Sequence, residues 1–143
     1  MIAERSLPFL LDADLFQEFA DALHDIAPQI ERNIGLLKRH PDDGSVVSTL
    51  FRLLHNLKGD AAMCRLDLAV RVVHPLESLL SRVRNGEICF SEGIAEVVLL
   101  ALDRLELAIE ALTNNTTLES LRLPLLIEGL ERVAHAVSGQ LET

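Results

Sequence analysis

In residues 51–63, FRLLHNLKGDAAM, apolar side chains recur every three or four positions, as on one face of an α-helix. Projected at about 100° per residue, Val46, Val47, Leu50, Leu53, Leu54, Leu57 and Ala61 gather into one arc. The same helix carries Gly59, although glycine in a helix interior costs about 1 kcal/mol relative to alanine. His55 points about 130° from the middle of the arc, which places it outward or at a groove edge. Phe51 and Arg52 lie on the turn before it, Lys58 and Gly59 on the turn after, and Ala62 beyond them.

The rest of the chain reads the same way. There are five phenylalanines, no tyrosine and no tryptophan, and no alternation of the kind strands need. A first helix is expected from Asp14 to Lys38, with Asp14 as cap, Gln17 in capping-box spacing and a kink near Ala27 caused by Pro28. HPDDGS at 40–45 is a loop that ends in a cap for the helix at 45–63. A third helix is predicted over 67–84, capped by Asp67 and stopped at Gly86, which suits a left-handed C-cap. Ser91 opens a fourth, to Thr113. After NNTT, Thr116 or Thr117 starts a last helix to Val137, weakened by Pro124 and Gly129. The fourth helix is apolar over a wide arc (Ile94, Val97, Val98, Leu100, Ala101, Leu105, Ala108, Ile109, Leu112), which implies contacts on more than one side. The expected fold is all-α: an antiparallel four-helix bundle with an additional packed C-terminal helix, one domain over 1–143.

Composition narrows the function. A net charge of −9 disfavours nucleic acid as a partner. The charge is uneven: residues 52–84 hold Arg52, Lys58, Arg65, Arg71, Arg82 and Arg84 against Asp60, Asp67 and Glu77. That basic island could draw in an anionic group or an acidic partner surface, or be a solvated face with no role. No apolar run approaches the ~18–20 residues of a membrane span. Glu4, Asp12 and Asp14 interrupt the start of the chain, against a secretory signal. Cys64 and Cys89 fit no metal spacing or disulfide framework and are expected to be buried thiols in a reducing compartment, so the predicted location is cytoplasmic. His24, His40 and His135 are read as surface or helix-end residues. There is no Gly-x-x-x-x-Gly-Lys loop. No cofactor, no metal and no enzymatic activity of the chain's own are expected.

The turn around His55 has a chemistry of its own. A neutral imidazole is a nucleophile able to attack a phosphoryl group. A cation at i+3 neutralises the oxygens of such a group, and a glycine at i+4 leaves room for it. On spacing alone, the same residues also read as an idle surface histidine and a glycine permitting close helix contact.

LFRLLHNLKGDAAM, followed by HPLESLLSRVRNGE, resembles the histidine-containing phosphotransfer (HPt) domain, most like the version at the amino terminus of chemotaxis-type histidine kinases. The family pattern is met by His55, Leu57, Lys58 and Gly59, then His74 and Glu77, then Arg84, Gly86 and Glu87, within a likeness covering about residues 12–113. The resemblance implies that His55 accepts a phosphoryl group through Nε2, that Lys58 holds phosphoryl oxygens, and that Glu77 accepts the Nδ1 proton with His74 in the same network. Projection puts Glu77 at the edge of its helix's apolar arc and His74 nearly opposite the core. The implied partners are a response-regulator receiver domain and the catalytic domain of a histidine or hybrid kinase. Phe51, Arg52, Ala62 and Arg71 would form the docking surface.

The sequence departs from the pattern at Asn56, Asp60, Arg65 and Pro75. Arg65 stands where a glycine usually ends the helix, and Pro75 should kink or loosen the third helix near Arg71. Asp60, Arg65 and Pro75 favour a rival reading, a helical interaction domain that binds a signalling partner without carrying phosphate.

Overall fold

A computed structural model describes residues 12–136. The readings of the chain's start and of the last helix's end at Val137 fall on residues outside that range. The fold is all-helical: α1 (Ala13–Arg39), α2 (Gly44–Met63), α3 (Asp67–Arg84), α4 (Glu92–Thr113), a 3-10 turn (Glu119–Leu121) and α5 (Leu123–Ala134). α1 packs on α2 and α4, and α3 on α2 and α4, so the first four helices close a bundle. α5 lies against α3 and touches α4. The wide stripe of α4 is thus met on three sides, by α1, α3 and α5, although Leu100 falls outside it and is exposed.

The core follows the projected arcs. Phe19, Ile30, Ile34 and Leu37 of α1 meet Leu50, Leu54 and Leu57 of α2, with Val72, Leu79 and Leu80 of α3 and Ile94 and Leu105 of α4. Truncating one such leucine to alanine costs about 2–5 kcal/mol. Val46 and Leu53, at the rim of the α2 arc, are only partly buried.

Four helix starts differ from expectation; α2 is capped by Asp43, which leaves Ser45, at the end of the expected loop, inside the first turn. α1 is capped by Asp12, whose carboxylate accepts from the backbone N–H of Asp14 and Leu15; Asp14 lies inside the first turn. The first of two nearby aspartates captured the free N–H groups, and Gln17 bonds Asp21 instead. Asp67 is the first residue of α3 and makes no cap; its charge sits in the helix's positive first turn. The last helix starts at Leu123, not at Thr116 or Thr117. Proline's fixed φ and missing N–H suit a first helical turn, so Pro124 opens α5 rather than weakening it. Asp43 and Ser91 cap α2 and α4 with their side chains. Neither Pro28 nor Pro75 ends its helix.

The helix ends explain the turn without glycine. Arg65 takes the left-handed conformation itself, φ +61°, with Leu66 N–H bonded to Ala61 O at 2.9 Å and Arg65 N–H to Ala62 O at 3.1 Å. Gly86, at φ +78°, closes α3 with the same bond pair, Glu87 to Arg82 and Gly86 to Val83. Both are Schellman closures. The short 64–66 turn folds α3 back along α2 and thereby sets the site.

Candidate functional site

His55 stands on the outer side of α2 with 59% of its side chain exposed. Its Nδ1 is hydrogen-bonded to Oε2 of Glu77, reached across the α2/α3 seam. An ionised carboxylate can only accept, so Nδ1 carries the proton and the lone pair of the neutral ring lies on Nε2. Glu77 is buried even though its charge faces the seam. Burial pushes its carboxyl up, but the hydrogen bonds from Lys58 and His55, with the charge of the Lys58 ammonium, outweigh this and hold it below the ordinary carboxylate range.

Lys58 Nζ lies 2.5 Å from Glu77 Oε1, so both oxygens of one carboxylate are used, one by each residue of the His55–Lys58 turn. His74 Nδ1 is 3.7 Å from the same Oε1, beyond hydrogen-bond reach, on a side chain 61% exposed. His74 thus approaches the carboxylate at ion-pair distance and makes no hydrogen bond to it. Gly59 is exposed, and a Cβ built there meets nothing within 4 Å. The alternative in which this glycine serves close helix packing is overturned: it opens onto free space beside the ring.

Phe51 stacks on His55, centroids 6.1 Å apart and planes 15° apart. The guanidinium of Arg84 covers Phe51 at 4.0 Å from its centroid. The contact pairs a residue one turn back from His55 on α2 with one two turns on from Glu77 along α3, a register set by how the two helices pack. Arg52 and Ala62 on α2 and Arg71 on α3 are exposed. Arg82 is not available to a docking surface: it donates to Ala134 O at 3.1 Å and Ala136 O at 2.6 Å and pairs with Glu87.

The departures leave this group intact. Asp60 lies on the α1 side, where its charge and that of Glu18 act on Cys64. Cys64 is buried as expected, its thiol pushed up by that burial, but Cys89 is exposed: it precedes the α4 cap between buried Ile88 and Phe90, with its own side chain outward. His24, His40 and His135 are exposed, the latter two at helix ends. Among the described residues no group of histidine, cysteine and acidic side chains could hold a metal ion, and no helix is long and apolar enough to cross a membrane.

Comparison with known proteins places this geometry. Residues 14–115 match the family model of the Hpt domain. Over 80 residues the chain is 36% identical to the chemotaxis protein CheA of Bacillus subtilis, covering 55% of this chain and 12% of that one. Over 90 residues it is 27% identical to the sensor histidine kinase CheAY of Helicobacter pylori, covering 63% and 11%. The chain thus spans about an eighth or less of the length of these relatives. Its fold is that of the histidine phosphotransfer domain of CheA in solution (TM-score 0.69, 20% identity, 82% of this chain and 90% of that one). It is also that of the phosphorylated P1 domain of CheA3 crystallised in complex with CheY6 from R. sphaeroides (TM-score 0.71, 23% identity, 85% and 95%).

Proposed function

The chain belongs to the Hpt domain family, and from that premise we propose that it is a phosphorelay intermediate that carries a phosphoryl group on His55. The observation that carries the reading is the pose of that ring: exposed, its Nδ1 proton committed to Glu77, its Nε2 lone pair free. In the step, Nε2 attacks the phosphorus of a donor, the N–P bond forms, and the donor's P–O bond breaks with its electron pair leaving on oxygen. The ring gains positive charge as the bond forms. The Glu77 carboxylate beside Nδ1–H stabilises that charge, as the carboxylate does for a catalytic histidine.

Lys58 has two duties in this reading. Before transfer it neutralises Glu77 Oε1; with phosphate on His55 its ammonium, on the same helical face, turns to the phosphoryl oxygens. The clearance at Gly59 admits the donor or acceptor.

The proposed donor is the ATP-bound catalytic domain of a histidine kinase or the aspartyl phosphate of a receiver, and the acceptor is a receiver-domain aspartate. The relative crystallised with CheY6 supports a partner of that class. Docking falls on Phe51, Arg52, Ala62 and Arg71 around the ring. The whole chain, helix α5 included, is read as one cytoplasmic phosphocarrier domain that leaves kinase chemistry to its partner. The rival, an interaction domain without phosphate, loses its ground because Arg65 closes the α2–α3 turn in the left-handed conformation, α3 runs on through Pro75, and Asp60 lies on the α1 side.

Incubation with a chemotaxis-type kinase domain and ATP, or with a phosphorylated receiver, should leave acid-labile, base-stable phosphate on the protein and none on His55→Gln. Lys58→Ala should fold and transfer more slowly. Phosphate on the glutamine variant removes His55 from the reaction; none on the parent sinks the carrier reading in favour of the rival.

A further inference from the structure

Glu77 fixes only one atom of the His55 ring. The imidazole can still swing about the Nδ1 contact, and an exposed side chain on a helix surface has the room to do so. What limits the swing is Phe51, one turn earlier on α2, whose ring lies within 15° of parallel to the imidazole at 6.1 Å. That is the offset range in which aromatic rings attract. Phe51 is itself only partly buried and has other rotamers open to it. The group that holds it comes from the other helix: Arg84, the last residue of α3, lays its guanidinium over the ring at 4.0 Å. A planar cation suits that face better than an ammonium does, and a positive charge at a helix C-terminus is favoured by the dipole.

We propose that Arg84 is a positioning residue for His55, acting through Phe51 so that the imidazole presents Nε2 and keeps Nδ1 on Glu77. The inference deepens the reading of His55 as phosphoacceptor and rests on it. The ring is held twice across one seam, at an atom by Glu77 and on its face by the Phe51–Arg84 pair. Without Arg84, Phe51 leaves its place, the imidazole turns, and Nδ1 is released to compete for phosphorus.

Phosphoramidate tests this with no protein partner to dock. A histidine nitrogen attacks its phosphorus, the N–P bond to the ring forms, and the donor's P–N bond breaks with ammonia leaving. The product at position 55 is identified by phosphorus NMR as the difference from His55→Gln. The parent should give the Nε2 isomer. Arg84→Ala should react about two- to fivefold more slowly, the size expected for one exposed cation–π contact, and form the Nδ1 isomer as well. Arg84→Lys should recover part of the rate. In a Phe51→Leu background, Arg84→Ala should change nothing further. A parent-like rate and isomer ratio in Arg84→Ala, or an equal loss in the Phe51→Leu background, overturns the proposal. The imidazole nitrogen shifts of His55 read the same pose without phosphate: one tautomer in the parent, exchange between two in Arg84→Ala. A parent that takes no phosphate but shows that tautomer change keeps Arg84 as a positioning residue and removes the phosphocarrier function. Phosphate on the parent with unchanged shifts in Arg84→Ala does the reverse.

Discussion

Glu77 on α3 accepts the Nδ1 proton of His55 on α2, joining residues 22 positions apart in the chain through the turn at Arg65. The same carboxylate also takes Lys58, so one buried acid organises both polar side chains of the exposed turn.

Under the proposed function Glu77 governs the reactivity of the ring, and its ionisation gives the fold a pH-dependent stability. Its carboxyl lies below its ordinary value of 4.5 in the folded protein: burial raises it, and Lys58 and His55 more than reverse that. A depressed carboxyl contributes stability that is fully present above its unfolded value and is lost as pH falls through the folded one. Glu77→Gln should therefore be less stable than the parent near neutrality, by about 1–3 kcal/mol for lost charged hydrogen bonds. The gap should close progressively below pH 4.5, where the parent carboxyl takes up its proton. Thermal unfolding of both proteins from pH 7 to 3 measures it, and a gap independent of pH would assign the loss to packing. Phosphoryl uptake by the variant should fall at least tenfold, because the ring loses its fixed tautomer.

Much of this site was legible in the sequence because helical periodicity converts spacing into direction. His55, Lys58 and Gly59 share a face once α2 is known to be a helix, and the arc of α2 turns that face outward. The placing of Glu77 at the rim of its arc follows in the same way. The contacts across the seam were less legible: the Arg84–Phe51 stack and the commitment of Arg82 to α5 depend on how two helices lie against each other, which a projection of either alone does not contain. The helix starts went astray for a local reason. Asp12 and Asp14 offer nearly equal caps, and Pro124 is a breaker or a starter according to which turn it occupies.

Gly59 faces open space, so its helix cost is separable from its clearance. Gly59→Ala should raise stability by about 1 kcal/mol, or about 3 °C in Tm for a chain of this size, and leave transfer near the parent rate. Gly59→Leu should also fold, yet slow transfer to a receiver domain while leaving the reaction with phosphoramidate much less affected. Equal rates for the leucine variant and the parent with both donors would mean that the approach to His55 does not pass over Gly59.

Arg65 holds a left-handed backbone, φ +61°, that disfavours any side chain by about 1–2 kcal/mol. Glycine removes that strain and returns part of the gain as entropy of the unfolded chain. Arg65→Gly should therefore stabilise the protein by about 0.5–1 kcal/mol, read from the denaturant midpoint, with phosphoryl uptake unchanged. A destabilised variant would show that the arginine side chain contributes contacts that outweigh its backbone strain.

Arg82 belongs to the basic stretch by sequence but to α5 by structure. Its guanidinium donates to the carbonyls of Ala134 and Ala136 and reaches Glu87, which ties the end of α5 to the last turns of α3. The carbonyls at a helix C-terminus have no partner within the helix, and a cation there both bonds them and faces the negative end of the dipole. α5 is 12 residues long, too short to be helical on its own, and depends on such ties and on burial of Leu123, Ile127 and Leu130. Arg82→Ala should cost about 2 kcal/mol and, more tellingly, lower hydrogen-exchange protection across 123–134 while α2 keeps its own. Because Arg82 touches none of His55, Glu77 or Lys58, phosphoryl uptake should stay within about twofold of the parent. Protection of α5 that survives the substitution would mean that apolar packing on α3 alone holds the last helix.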